Sequence, residues 1–469
     1  MTMFQRERKA RGLDVLLVED EDYYRRVFHP FLSSIIKRIV NLMLALTLEP
    51  PRLALPMLSA YLKDAGMNVA CVYHYSNGIF KKWTFTRLLR RKPLIVGIST
   101  TAIDQTRTLE NIVARVRLES PQSLIVLGGY GAQYSAEMRR LGDVVVTDCG
   151  ELALVKLVES LKRDLDLDSV AGITRDSDQV RMLPGRTGFY PDETMLHPDL
   201  SAIDTYFRCM PVEASRGCRY NCSYCAVPGK RRHMFRKPAD VIEEIKEQVR
   251  KYRKKNLYFV DPNLTSNPDF IFELMERLKK AQLGVRWHCM GRVDDFARQP
   301  ALAGAMVAAG CYRVMLGIES IHDHILARMR KGYTRSVVEA GLQSIAAAHL
   351  PVCASFMIGF PGETVQTTEA TVDFILKAGF NIISLAPLMV SKELFEEARA
   401  KPEFHHHLRG DSPRHWIHDT MDYNQAEDLT QKMVARINRN SLFPVALALR
   451  FWDRERDKDI AASFPTNPE

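Results

Sequence analysis

The chain has 469 residues, 46% of them apolar and 26% charged, the balance of a globular protein long enough to bury a large core. This excludes a small disulfide-stapled scaffold and a mostly disordered chain, and at about 150 residues per domain it suggests about three domains, or two and a tail. Sixty-five Lys and Arg against 56 Asp and Glu leave a net charge of +9. The basic residues cluster at Lys81-Lys82, at Arg90-Arg91-Lys92, and over 230–237 and 251–255. Solvated helix faces explain such clusters better than a nucleic-acid footprint, and docking of an acidic electron-donor protein is a third reading. The first eleven residues are polar and basic, unlike a signal peptide, and the best apolar run, 39–48, falls well short of the ~20 residues of a membrane span. Nine cysteines, an odd number without a secretory signal, point to a reducing cytoplasm.

In chain order, short aliphatic runs at 15–18, 69–73, 94–98, 124–127 and 144–146 read as strands. Helical patterns at 53–65, 107–118, 136–141 and 152–161 separate them. Short continuous apolar strands between helices indicate a parallel sheet covered on both faces. The expectation is a doubly wound α/β domain over 13–165, with ligands at the carboxyl ends of its strands. The acidic Glu19-Asp20-Glu21-Asp22 resembles the start of a receiver domain, but no phosphate-accepting Asp and partner Lys follow in place. The apolar, partly basic segment 28–48 reads as a packed helical hairpin, with a substrate lid or membrane-surface contact as the functional alternative. Residues 166–210 read as a connector with a hairpin over 172–183, broken afterwards by Pro184, Gly185, Pro191 and Pro198.

Alternation resumes at residue 211. Strand signals at 212–214, 257–260, 285–289, 313–316, 353–358 and 382–386 alternate with helices at 239–252, 269–281, 301–309, 336–348 and 365–378. Six βα units over 211–395 predict a partial barrel with its chemistry at the strand C-terminal ends. The region 396–469 is expected to be helical, notably over 424–440, with His405-His406-His407 in a surface turn.

Just after the first of these strands stand Cys218, Cys222 and Cys225, spaced C-x3-C-x2-C. Three thiolates on one loop can hold three corners of a [4Fe-4S] cubane and leave one iron open to chelate a ligand. Zinc on the same cysteines plus His233 is the alternative.

At this point the sequence resembles the radical S-adenosylmethionine (SAM) enzymes. Supporting motifs run in order along the barrel: Ser215-Arg216-Gly217 before the cysteines, Tyr224 before the third, Asp261-Pro262-Asn263, the segment ending in Arg292, Gly317-Ile318-Glu319-Ser320, Lys331-Gly332, and Gly359-Phe360-Pro361-Gly362-Glu363. The resemblance implies a [4Fe-4S] cluster on Cys218, Cys222 and Cys225. It implies SAM held by Tyr224, Asn263, Arg292, Gly317, Glu319, Ser320, Gly359 and Phe360, with Arg292 toward the carboxylate, Glu319 toward the amino group or ribose and Tyr224 near the adenine. One-electron cleavage of SAM then gives a 5′-deoxyadenosyl radical.

A doubly wound domain ahead of the barrel resembles the cobalamin-binding branch of these enzymes. Ser99, Thr100 and Thr101 follow the third strand, Gly128, Gly129 and Tyr130 the fourth, and Gly150 and Glu151 the fifth; the resemblance implies that they line the cobalamin site. The Asp-x-His-x-x-Gly loop of many cobalamin proteins is missing, so cobalamin would bind base-off without a His ligand; His29 is too doubtful a substitute, and a degenerate domain without cobalamin is the alternative.

The implied function is cobalamin-dependent methylation of an unactivated carbon in a small, apolar-tolerant substrate, with a flavodoxin- or ferredoxin-type electron donor. Radical cyclisation, ring contraction or oxidation without methyl transfer is the first alternative. A tRNA-modifying enzyme and a non-enzymatic metal module are the remote ones, because no further cluster cysteines accompany Cys71 and Cys149.

Overall fold

Short β-branched and aliphatic strands separated by amphipathic helices can bury both faces of a sheet only by winding the helices over them. The computed structural model does this twice. It describes residues 12–20, 52–76, 79–103, 106–185, 195–203, 207, 209–225, 227, 232–380 and 382–439. Segment 28–48 with His29, and residues 440–469, lie outside that description. The chain divides into two units, Met1–Arg208 and Cys209–Glu469.

The first unit contains β1 (Val15–Glu19), β2 (Val69–Val72), β3 (Ile95–Ser99), β4 (Leu124–Gly128), β5 (Val144–Thr147), β6 (Thr174–Arg175) and β7 (Arg181–Pro184), in the order β2-β1-β3-β4-β5-β7-β6. Strands β1 to β5 are parallel. Leu16, Val18, Val96, Ile98, Ile125 and Leu127 form one core with helix residues Phe85, Leu89, Ile112 and Val116. The helix Ile79–Leu89 escaped sequence reading because only Phe85 and Leu89 of its apolar residues are buried, so no single stripe marks it. The expected hairpin forms as antiparallel β6–β7, and β7 pairs parallel with β5. The sheet therefore runs past residue 165 into the stretch read as a connector.

The second unit opens with β8 (Met210–Val212) and a hairpin of β9 (Ser215–Gly217) with β10 (His233–Phe235). Strands β11 (Asn256–Phe259), β12 (Arg286–Gly291), β13 (Cys311–Glu319), β14 (Val352–Ile358) and β15 (Ile382–Pro387) complete a six-stranded parallel sheet ordered β15-β14-β13-β12-β11-β8. The helices Pro238–Tyr252, Pro268–Ala281, Arg335–Ala347 and Val365–Ala378 alternate with them. This is the expected partial (β/α)6 barrel. Asn267 caps the Pro268–Ala281 helix and Thr364 forms a capping box on the Val365–Ala378 helix.

The two faces of this sheet differ. Trp287, Cys289, Gly291, Val314, Leu316, Ile318, Ala354 and Phe356 are buried, and Trp287 Nε1 donates to Ala309 O, the C-cap of the Ala301–Ala308 helix, at 2.8 Å. They form the helix-covered face. The alternate residues Met290, Met315, Gly317, Ser355, Met357, Ser384 and Ala386 are only half-buried, and parallel register aligns Met290 with Met315, Gly317 with Ser355, and Ser355 with Ser384. They line the lumen face.

The expectation of a wholly helical C-terminal region is corrected in part. A three-stranded antiparallel sheet, β16 (Arg409–Ser412), β17 (His415–His418) and β18 (Met421–Asp422), precedes the helix Tyr423–Arg439. Burial alternates along β17, with Trp416 and His418 inward, a period of two that no helix satisfies. His405 is also corrected: it lies in a turn, but it is fully buried.

One buried ion pair ties β10 to the first helix of the second unit: Arg236 Nη1 lies 2.5 Å from Glu244 Oε2, both side chains almost wholly buried. Removing one partner strands the other charge. Glu244→Ala should therefore cost about 3 kcal/mol, read as a lowered midpoint of this unit's transition in chemical denaturation.

Candidate active site at the strand ends of the second unit

Thiolate chemistry in a low-dielectric site needs nearby positive charge, and this site supplies it from buried side chains. The loop after β9 carries Cys218, Cys222 and Cys225. Ser223 N donates to Met329 O at 3.0 Å and Ser223 Oγ to Arg328 O at 3.1 Å, pinning the loop to the turn after the Asp323–Arg328 helix. Val227 N donates to Cys225 Sγ at 3.5 Å. Arg292 Nη1 donates to Cys222 Sγ at 3.7 Å. Burial pushes the Cys218 thiol up, while Arg292 and Lys331 pull it down.

This donor set fits a cluster. It does not fit the zinc alternative: His233 spends Nε2 on Ser215 Oγ at 2.9 Å and Nδ1 on Ser266 Oγ at 2.8 Å. A single ion needs its ligands to converge, whereas three thiolates on three cubane corners need not.

Arg292 is more constrained than its sequence context implied. Its Nε donates to Asp294 Oδ1 at 2.9 Å, its Nη2 to Asp294 Oδ2 at 3.3 Å and to the Lys331 carbonyl, and its guanidinium lies 3.7 Å from the centre of the Tyr220 ring. The fork is taken up by Asp294, which keeps the buried cation compensated beside Cys222. Tyr220, in turn, receives a hydrogen bond from Arg298 Nη2 at 2.8 Å.

Lys331, Glu319, Tyr224 and Tyr333 make a second buried group. Lys331 Nζ donates to Gly317 O at 2.6 Å and to Tyr224 Oη at 3.2 Å. Tyr224 hydrogen-bonds Glu319. Tyr333 Oη donates to Gly317 O at 3.2 Å. Burial drives Glu319 up against the pull of Lys331, Tyr224 and Arg292. Burial also pulls Lys331 down, but Tyr333, Glu319 and Cys222 outweigh it and raise it overall. Glu319 has φ +70°, a costly conformation for a side chain, where the β13–β14 register shifts between Gly317 and Glu319. A Cβ on Gly317 would stand 2.6 Å from Glu319 Oε1, so only glycine lets the carboxylate fold back here.

Asn263 is fully buried, and its Nδ2 has no partner among the described residues. Thr265 Oγ1 lies 3.0 Å from the Asn263 amide oxygen, donates to Asp295 Oδ2 at 2.7 Å and accepts from Arg292 N at 3.3 Å. An orphaned buried donor in this position is what a bound polar ligand would satisfy. Ser320 and Gly359 also have roles in local structure. Ser320 Oγ accepts from His322 N at 3.2 Å. Gly359 has φ +89°, and its missing Cβ leaves room for Trp416 and Ala426. Phe360 lies edge-on to Tyr224, with ring centres 6.4 Å apart. His418, stacked on Trp416, accepts from Thr420 N through Nδ1, which leaves Nε2 to donate to Gly359 O at 3.0 Å. The tail thus clamps the loop after β14.

Sequence reading missed Asp294 and Tyr333 as members of this network, and gave no role to Glu363 within the motif it quoted. Asp294 had a signal, a carboxylate two positions after a candidate buried Arg, and Tyr333 closes the noted Lys331-Gly332 pair.

In the first unit, seven of the eight residues expected to line a cofactor sit half-buried or exposed at the carboxyl edge of β3, β4 and β5, and Thr100 is buried. Thr100 holds two of these loops together: its N and Oγ1 donate to Gly128 O at 2.7 and 2.8 Å, and its Oγ1 accepts from Ala132 N at 2.9 Å. A Cβ on Gly129 would stand 2.4 Å from Thr101 Oγ1, so internal packing already demands that glycine. On Gly128 it would meet nothing closer than Val146 O at 3.7 Å. Gly128 therefore leaves room at the strand end that the described residues do not fill, which fits a large ligand approaching the backbone.

Residues 212–375 match the radical SAM superfamily and residues 41–158 the B12 binding domain. An uncharacterised methyltransferase of Pyrococcus horikoshii is 30% identical over 370 residues, 74% of this chain and 76% of that protein. The bacteriochlorophyllide d C-12(1)-methyltransferase of Chlorobaculum tepidum is 28% identical over 255 residues, 52% of this chain and only 54% of its own length. The radical SAM methyltransferase TsrM of Kitasatospora setae, solved with cobalamin and a [4Fe-4S] cluster, superposes with a TM-score of 0.64 at 17% identity, covering 92% of this chain and 89% of that one.

The Glu363 carboxylate, which accepts from Gly359 N at 2.6 Å, is pushed up by burial to about 8 from an ordinary 4.5. Folding then keeps a proton that the unfolded chain releases. Its contribution to stability is fully present below about pH 4.5 and is lost as pH rises to about 8. Glu363→Gln should match the parent protein near pH 5 and exceed it near pH 8, measured as denaturation midpoints across that range.

Proposed function

The chain belongs to the B12-dependent radical SAM enzymes, and from that membership we propose that it methylates an unactivated carbon of an apolar small molecule in a reducing cytoplasm. The observation that carries this reading is the pairing of a cluster loop set among buried cations with a lumen face of methionines and small residues. When bound, the [4Fe-4S] cluster, SAM and cobalamin supply reductive SAM cleavage, hydrogen abstraction and a transferable methyl group.

The residues of this chain have separable tasks in that reading. Cys218, Cys222 and Cys225 hold the cluster. Arg292, compensated by Asp294, sets the charge beside Cys222 and positions the loop through Tyr220. Lys331 and Tyr224 fix the Glu319 carboxylate, and Glu319, Asn263 and Phe360 face the SAM polar groups and adenine. Ser99, Thr101, Gly128, Gly150 and Glu151 border the cobalamin, bound base-off. Met290, Met315 and Met357, polarisable and adaptable, shape an apolar substrate space without offering it hydrogen bonds. The electron donor is an acidic flavodoxin- or ferredoxin-type protein. Among the described residues no helix is long and apolar enough to cross a membrane.

Anaerobic reconstitution tests the reading. The parent protein should bind iron and sulfide and produce 5′-deoxyadenosine from SAM, and Cys222→Ala should abolish both. A substrate product heavier by one methylene unit supports methyl transfer; an oxidised or cyclised product of unchanged carbon count replaces it with the radical cyclase reading. Met315→Trp, which fills the lumen, should lower substrate turnover by at least about tenfold, the cost of ~1.4 kcal/mol of lost fit, with SAM cleavage retained.

A further inference from the structure

The helix Ile79–Leu89 carries the two most exposed large apolar side chains of the described residues, Ile79 at 86% and Phe80 at 85%, with Trp83 at 56% one turn further along. Its inner face needs none of them, because Phe85 and Leu89 alone are fully buried in the core of the first unit. Lys82 and Arg87 are both exposed, and the Arg87 guanidinium stands 5.0 Å from the centre of the Trp83 ring. From residue 79 to 92 the chain has six cations, Lys81, Lys82, Arg87, Arg90, Arg91 and Lys92, and no carboxylate. Arg90 is engaged on Glu119 at 3.2 Å, Arg91 on Gly12 O at 3.0 Å, and Lys82 Nζ stands 6.0 Å from the centre of the Tyr75 ring. Lys82 and Arg87 extend beside the apolar cluster.

Three large apolar side chains at one end of a helix, rimmed by cations and free of acids, are costly to leave in water. We propose that this helix docks the protein on an anionic lipid bilayer, with Ile79, Phe80 and Trp83 entering the interfacial zone and Lys82 and Arg87 meeting lipid phosphates. Tryptophan favours that zone, and each basic side chain close to an anionic surface adds to the attraction. An acidic protein would satisfy the cations but not call for the aliphatic and aromatic tip. The inference stands apart from the proposed methylation, since it uses none of the second unit's residues.

The full-length protein would be sedimented with vesicles of phosphatidylcholine alone and of phosphatidylcholine with phosphatidylglycerol in equal parts. Sedimentation with the anionic vesicles only, weakened by added salt, is expected. The pair Phe80→Ser with Trp83→Ser, and the pair Lys82→Glu with Arg87→Glu, should each lower the bound fraction by about tenfold or more. All four side chains are solvent-facing, so circular dichroism and thermal midpoints should match the parent protein. A blue shift in emission on vesicle binding, present in the parent and reduced in Trp83→Phe, would place the helix in the interface. Failure of the parent protein to bind anionic vesicles would overturn the proposal. Parent-like binding by both variant pairs would overturn it too. So would an absence of lipid binding together with loss of flavodoxin capture in the variants, which would give the surface to a protein partner.

Discussion

The second unit is organised around the cost of burying charge next to sulfur. Arg292 and Lys331 are both removed from water at the carboxyl end of the sheet, and an uncompensated cation there would cost several kcal/mol. Each is matched. Asp294 takes the Arg292 fork, and the Gly317 carbonyl, Tyr224 and the Glu319 carboxylate surround Lys331. Within this matched set the Cys222 sulfur receives an Arg292 N–H. Much of the local backbone serves this arrangement: the register shift in β13, the left-handed Glu319, and the glycine at 317 that makes room for its carboxylate.

The lumen face follows from the same sheet. Strands that bury one face against helices and leave the other half-open must alternate, and β13 does so from Val314 to Glu319 and β14 from Ala354 to Ile358. That alternation delivers Met315, Gly317 and Glu319 to one side, with Met315 deeper in the barrel and Glu319 at the strand end. The substrate-shaping residues and the charged network are thus successive rungs of one strand. The loop after β14 is closed from the other direction, by Trp416 and His418 of the C-terminal sheet packing on Gly359.

The first unit shows a different logic. Its strand ends hold few committed charges; they hold small residues and a threonine that locks two loops by three hydrogen bonds. Of its two adjacent glycines, Gly129 is required by the protein's own packing, whereas Gly128 leaves open space. The outer surface of the same unit carries an aromatic and basic helix end that the core does not use.

The sequence by itself determined the fold class. Aliphatic strands of three to six residues alternating with helical stripes leave few architectures other than two parallel sheets, because only crossover helices can cover both faces. It also determined the chemistry of the cluster loop, since three cysteines at C-x3-C-x2-C need no tertiary information to suggest iron–sulfur ligation. Tertiary structure alone decided what lies beyond local pattern. The 409–422 stretch became a sheet because its partners are one another and the loop after β14. Arg292, a candidate for the SAM carboxylate by position, proved to be held by a neighbour two residues away. Tyr333 joined the site because the loop after β13 folds back to bring its hydroxyl to the Gly317 carbonyl. Periodicity reports which face of an element is buried; which polar groups meet in that burial is fixed only when separate strands end side by side.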